Sequence, residues 1–395
     1  MKEFDIREFG AVGDGCSLNT VAIQSAIDEC ARQGGGRVIV SDGRYVTGTL
    51  FMRSCVELCI EANGVLLAST NGNDYPDFEC KEWNTKAAPR SSAKCLIYFG
   101  YVENAALTGL GMIDCCGSAF CDPVYDDNGN VIKFERNTLN IPARMVFIMG
   151  CTNIRVEDIT MKEMAGGWGY WVNNSQYVTF AKAKLYCNPM YPNADGIHIN
   201  CSCDVLVDSC VIHSGDDCII IRANTNTLNE KRICERVIVK GCVLSSRCQA
   251  IRIGWRNDGV VKNCMVSDIV VTDSKNGMKI ELPMYSSPTD IGTNHTRLEN
   301  IHINNAIFDV KKSPIRLTVY PGNLYDKIKN IRFSNITSTS GEYPLIQGRK
   351  DAVLEEIYFD NCKFMVNKEA DHSVGFISNV IGLHLNNTTF DVLDV

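Results

Sequence analysis

ENIHINNAIF at residues 299–308, KNIRFSNITS at 329–338, EEIYFDNCKF at 355–364 and IGLHLNNTTF at 381–390 are one pattern written four times. The pattern is x-N-φ-x-φ-x-D/N-x-x-φ, where φ is apolar. It extends back through KNCMVSDIVV (262–271), ERVIVKGCVL (235–244), CDVLVDSCVI (203–212), QYVTFAKAKL (176–185), TNIRVEDITM (152–161) and ENAALTGLGM (103–112). With the first apolar position as anchor, Ile154, Val178, Val205, Val237, Cys264, Ile301, Ile331, Ile357 and Leu383 recur at intervals of 24 to 37 residues. A period of that length marks a solenoid. Each unit holds short alternating runs with Asn or Gly at the corners and no amphipathic helix, which excludes ankyrin, tetratricopeptide and leucine-rich repeats. Propeller blades would be longer and more even. The expected fold is all-β, a single parallel β-helix in which every coil adds one rung to each sheet and apolar side chains stack inward.

Ahead of the repeats the chain reads as a cap with one short α-helix. FDIREFGAVGDG (4–15) is a short strand and turn, after which Asn19 is expected to cap a helix burying Ile23, Ala26, Ile27 and Cys30. Gly34, Gly35 and Gly36 end it; they follow the helix instead of opening it and lack the Lys-Ser/Thr of a phosphate loop. Residues 37–69 alternate apolar runs with turn formers, as short strands do. Residues 70–100 show no period and are expected to form a long loop that walls a cleft. The whole chain, 1–395, is expected to be one domain: cap and first coils to about residue 70, the loop, then repeated coils over 102–395. Inserts near 225–232 and 283–296 are expected to emerge as loops on one rim.

Composition narrows the partners. A net charge of −7 with singly scattered basic residues argues against nucleic acid. No run reaches the roughly 18 apolar residues of a membrane span, and MKEFDIREFGAVGDG lacks the apolar core of a signal peptide. The expected location is the cytoplasm, or outside the cell if a leader was trimmed. The 20 cysteines sit inside apolar patterns such as NCSCDVLVDSC (200–210), where reduced Cys acts as a small buried hydrophobe. Cys201 and Cys203 are two apart, and no Cys/His array has zinc spacing. No zinc site is expected among the cysteines.

Acid is concentrated in one place. Asn193–Gly196 (NADG) and Ser214–Asp217 (SGDD) bring Asp195, Asp216 and Asp217 onto two turns, with Asp195 and Asp216 separated by 21 residues, close to one short coil. Turns one coil apart stack about 4.8 Å apart, so the acids should converge. Such a group either holds a hard cation such as Ca²⁺ or performs acid/base chemistry, one carboxyl protonated beside another that is ionised. Asp208 and Asp268, by contrast, are corner residues of the repeat itself.

Here the chain resembles the polygalacturonase-like glycoside hydrolases of family 28. NADG and SGDDCI (214–219) match that family's two acidic motifs, and the likeness covers most of the chain, FGAVGDG (9–15) included. The resemblance implies a right-handed parallel β-helix, inversion at the anomeric carbon, Asp216 as general acid, and Asp195 and Asp217 activating water across a gap of roughly 6.5–9.5 Å. It implies no metal. Two family features are altered. SSRCQAIRIG (245–254) has Gln249 where the family places a His, and GMKIEL (277–282) keeps Lys279 but has Gly277 where an Arg would complete a clamp on the sugar carboxylate. Gln249 can hydrogen-bond a sugar hydroxyl, and Arg252, expected to project outward beside it, is a candidate replacement for the missing Arg. Asn193, His198 and Lys279 are further candidate substrate ligands. Trp171, in GGWGYW (166–171), is a candidate stacking platform for a sugar ring; Trp255 is similar, and His213 could tune the SGDD turn.

The leading expectation is an inverting hydrolase of a pectin-related, galacturonide- or rhamnogalacturonide-like oligosaccharide, exo-acting because a cytoplasmic enzyme meets only imported fragments. Two alternatives stay open: a β-helix polysaccharide lyase or uronate epimerase, in which the aspartates bind Ca²⁺, and a carbohydrate-binding β-helix without activity.

Overall fold

The computed structural model describes residues 1–78, 80, 93–165, 167–225, 228–255, 258–282, 295–320, 325–367 and 376–393. Part of the expected long loop (79 and 81–92), Gly166, part of the 225–232 insert and all of the 283–296 insert except its last two residues lie outside them. The fold is a right-handed parallel β-helix with one α-helix, Thr20–Arg32, in its N-terminal cap. Its Cα packing forms two compact units, Met1–His198 with Leu206–Asp216, and Ile199–Val205 with Asp217–Val395.

The repeat has a backbone cause. Its two turn positions carry positive φ in every one of the ten copies, from Asn104 and Gly109 through Asn153 and Asp158 to Asn361 and Gly382. An L-residue pays to enter the left-handed region, and Asn, Asp and Gly pay least. Two such bends five residues apart turn the chain at each end of a short strand, and this is what the N and D/N of the pattern encode. In the second unit the bends stack into ladders: Asn330 donates to Asn300 and Asn300 to Asn263, each at 2.8 Å, while Asn387 donates to Asn361 at 2.8 Å and Asn361 to Asn335 at 2.7 Å. The first unit does the same, Asn153 donating to Asn104 at 2.7 Å.

Between bends, the apolar positions stack rung on rung. In the first unit Leu66, Ile113, Met161, Leu185 and Ile212 are in register and fully buried. In the second unit Ile221, Ile253, Ile280, Leu317 and Ile346 form an equivalent column. Each buried side chain of this size contributes roughly 1.5–3 kcal/mol by leaving water. The cysteines lie in the same frame. All 20 are free thiols, and Cys242 and Cys362 sit beside the carbonyl two residues back, at 3.2 Å and 3.4 Å. Burial raises the pKa of several, Cys95 and Cys264 among them.

The cap helix buries Ile23, Ala26, Ile27 and Cys30, as its spacing implies. Asn19 departs from expectation. Its carbonyl takes the Ile23 N–H at 2.9 Å, but its side chain turns back, accepting from Val12 N at 2.7 Å and donating to Ser17 O at 2.6 Å. The amide fastens the preceding loop and leaves the helix without a side-chain cap. At the other end Gly35 takes φ 101°, and a Cβ there would stand 2.4 Å from Cys55 O.

Candidate active site

Asp195 and Asp216 belong to the first unit and Asp217 to the second. Within the first unit the two acidic turns meet as their spacing implies: Ala194 O accepts from Gly215 N at 3.1 Å and Asp216 N at 3.2 Å. Gly215 permits the approach, because a Cβ there would lie 2.6 Å from Tyr191 O. Gly169 N and Tyr170 N, on the preceding coil, donate to Asp195 O and Gly196 O at 2.8 and 2.9 Å and fix the turn from the other side. The two carboxyls end in different surroundings. Asp195 is 5% exposed, whereas Asp216 is half-buried.

His198 is also buried, 4% exposed, with Nδ1 3.9 Å from Asp195 Oδ2 and its ring 4.2 Å from that of Trp168. It stands beside the aspartate, not on an open surface. Asn193 is exposed at φ 55° and accepts from Arg136 at 3.5 Å. Arg136 closes an antiparallel hairpin, Cys121–Tyr125 with Val131–Arg136, that nothing in the repeat announced. Half-burial lowers its pKa, against the pull of the nearby Asp195 charge. Phe134 of that hairpin packs edge-on against Tyr191 at 5.0 Å, tying it to the Asp195 loop.

Trp171 is not a sugar platform. It is 1% exposed, stacked on Phe147 at 4.8 Å, with the Arg144 guanidinium 4.0 Å from its ring. Its ladder runs Tyr98, Phe147, Trp171. The preceding coil supplies both contacts, and at 1% exposure the indole presents no open face. Arg144 is wholly buried, and burial pulls its pKa down to about 9, which leaves it charged at neutral pH.

In the second unit Asp217, 4% exposed, is gripped from two sides. Oδ1 accepts from Gln249 N at 3.2 Å and Gln249 Nε2 at 2.8 Å, and Oδ2 accepts from Arg252 Nε. Gln249 Oε1 in turn accepts from Asn276 at 3.0 Å, so both ends of this amide are engaged. Arg252 also donates to Glu281 Oε2 at 3.2 Å and lies 4.2 Å over the Trp255 ring. Both residues are 5% exposed. Both side chains, expected as direct sugar ligands, are here engaged in holding Asp217. Trp255 is a bed for guanidinium groups, with Arg222 at 5.9 Å on a further contact. Arg222 is itself paired with the fully buried Asp258 at 2.8 Å, and burial raises the Asp258 pKa against that pairing.

Lys279 keeps a partly open side chain, 22% exposed, but its ammonium is paired with Glu281 Oε1 at 3.0 Å. Gly277 has a packing reason. A Cβ there would meet Pro314 O at 2.4 Å and the Phe308 ring at 2.6 Å, so no arginine fits. Glu281 and Tyr320, whose hydroxyl donates to Glu281 Oε1 at 3.0 Å, were missed from sequence. The signal for Glu281 was available: it lies two residues beyond Lys279 in a strand and therefore shares its face.

Residues 56–376 match Glycosyl hydrolases family 28. The chain is similar to an exopolygalacturonase of Zea mays, 28% identical over 361 residues that cover 85% of this chain and 77% of the maize protein. It is also similar to the exo-poly-alpha-D-galacturonosidase of Dickeya chrysanthemi, 23% identical over 444 residues, 99% of this chain and 71% of that one. Among solved structures, the family 28 exopolygalacturonase of Yersinia enterocolitica has a TM-score of 0.75 at 22% identity, covering 100% of this chain and 76% of that chain. A hyperthermoactive exopolygalacturonase from Thermotoga maritima has a TM-score of 0.74 at 18% identity, covering 98% and 92%. The structural likeness speaks for the fold, and the family match, which spans most of the chain, speaks for hydrolysis of O-glycosyl bonds. The chain belongs to glycosyl hydrolases family 28.

Proposed function

We propose that the chain is an inverting, exo-acting hydrolase of pectin-derived oligosaccharides, with Asp216 delivering a proton to the leaving oxygen and Asp195 and Asp217 drawing one from the attacking water. The observation that carries this division of labour is the setting of Asp217. A carboxyl whose two oxygens receive a guanidinium N–H and an amide N–H presents itself as an acceptor. Asp216, half-buried, has the access a proton donor needs. Inversion requires this pairing of an acid with a base that activates water. The exo mode draws its support from the names of the maize and Dickeya relatives. Lyase, epimerase and purely binding readings lose their footing with membership of a hydrolase family.

The test is hydrolysis of short oligogalacturonides followed by proton NMR. The expected result is single residues released from one end, with the first-formed anomer inverted, and loss of at least a thousandfold in kcat for Asp216→Asn. A retained anomer, or turnover indifferent to Asp216, would overturn the proposal.

A further inference from the structure

On the outer face of the second unit's sheet, Arg252, Lys279 and Arg316 are in register on three consecutive strands. A column of three cations about 4.8 Å apart would be a natural strip for binding carboxylates. The charges, however, are already used. Glu281, 2% exposed, takes Lys279 Nζ on one oxygen at 3.0 Å and Arg252 on the other at 3.2 Å. Asp217 takes the Nε of Arg252. Arg316 lies 3.8 Å from Glu342. Around Lys279, two cations face two carboxylates, and the pair at Glu281 is shielded from solvent, where ionic strength screens it little.

We propose that Glu281 determines specificity, cancelling the charge of Lys279 so that the sugar unit meeting this surface is uncharged, a methyl-esterified uronate or a neutral pyranose, in preference to a free uronate. This rests on the hydrolase reading above, in which Asp217 works at the reacting bond, and it deepens that reading by naming the substrate class. Lys279 lies one rung from Arg252, the residue that holds Asp217, so its ammonium is placed to meet a sugar close to the chemistry. An ammonium has three N–H donors; with one given to Glu281, the others suit hydroxyl or ester oxygens. A free uronate brought to the same nitrogen would set its carboxylate beside that of Glu281, and the like charges would oppose binding. The steric block at Gly277 prevents a second cation from redressing the balance.

The test compares full-length wild type with Glu281→Gln and Lys279→Gln on oligosaccharides that differ in one unit: free uronate, methyl uronate or neutral hexose. Wild type is expected to favour the uncharged units over the free uronate by about tenfold or more in kcat/KM. A higher rate on methyl uronate than on hexose assigns the ester as the natural ligand, and the reverse assigns the neutral sugar. Glu281→Gln should lower KM for the free uronate by about tenfold, erasing the preference. Lys279→Gln, which leaves Arg252 alone to face both Glu281 and Asp217, should move the same KM the opposite way. A wild-type preference for the free uronate, or a ratio unmoved by both variants, overturns the proposal. If none of the substrates is hydrolysed, the catalytic reading has failed; calorimetric affinities of the same oligosaccharides for wild type and Lys279→Gln then decide specificity alone, by the same ratio. Melting curves identify a variant that does not fold, and the remaining variant carries the comparison.

Discussion

Asp217 and Arg252 form a buried ion pair in the second unit, 4% and 5% exposed, in which the guanidinium reaches past the aspartate to Glu281. Removing one member of a buried pair is costlier than replacing both, because the survivor is left charged and dry. Arg252→Met is therefore expected to leave Asp217 without its guanidinium partner, while Glu281 keeps Lys279 and the Tyr320 hydroxyl. A loss of about 3 kcal/mol is expected in melting stability. In the protein that remains folded, the proposed role of Asp217 in activating water predicts that kcat falls about a hundredfold with KM nearly unchanged, since the buried Arg252 contacts Asp217. Arg252→Lys should recover little, an ammonium being unable to span both acids from one planar fork. Steady-state kinetics beside melting curves check this. A rise in KM at constant kcat would return Arg252 to the role of a sugar ligand.

Gly277 suggests an obvious repair that should fail. Restoring the family's carboxylate clamp with Gly277→Arg puts a side chain where Pro314 O and the Phe308 ring leave no space for even a methyl group. Gly277→Ala alone is expected to cost about 1–3 kcal/mol by overpacking, and Gly277→Arg to give little soluble protein. Chemical denaturation of the alanine variant measures the cost. An alanine variant as stable as wild type would mean that the neighbouring coil yields.

How much of this was legible beforehand depended on whether one residue or several had to be read together. The ten-copy pattern is local: Asn300 or Asn335 declares its own left-handed bend, and the fold follows from repetition. The acidic turns were legible for the same reason, since spacing in a solenoid is proximity. What stayed hidden was where long side chains end. Trp171 reads as a platform until Phe147 and Arg144, each a coil away, are seen to cover it. Gln249 and Arg252 read as sugar ligands until both are seen on Asp217. The Asn19 amide likewise could close on a helix or on a loop, and only the position of Val12 decides. The hairpin carrying Arg136 breaks the repeat, so the repeat could not foretell it.

The asparagine ladder gives a test of the repeat itself. Asn335 sits at φ 53°, donates to Asn304 at 2.9 Å and accepts from Asn361 at 2.7 Å. Asn335→Ala is expected to cost about 1–2 kcal/mol, from left-handed strain and two lost hydrogen bonds. Asn335→Gly keeps the bend while losing the ladder, so it should fall between alanine and wild type. Urea melts of the three proteins separate the two causes. Equal losses for Ala and Gly would assign the whole effect to the ladder.

Asp14, in the FGAVGDG turn of the cap, supplies a pH signature. Its Oδ1 accepts from Cys16 N and Ser17 N, each at 2.8 Å, and its Oδ2 from the Ser17 hydroxyl at 2.7 Å. Those donors, the backbone N–H groups foremost, lower its pKa from 3.8 to about 2. A carboxyl with a depressed folded pKa binds its proton more readily when unfolded. Its contribution to stability is therefore complete above the unfolded value and is lost as pH falls through the folded one. The window runs from about pH 4 down to about pH 2. Asp14→Asn, which cannot titrate, should melt below wild type at pH 5, and the gap should close progressively across that window. Because other acids titrate there too, Glu29 among them, the difference between the two proteins at each pH is the quantity to read. A gap that stays constant from pH 5 to pH 2 would show that the turn stabilises the cap through its shape alone, without the charge of Asp14.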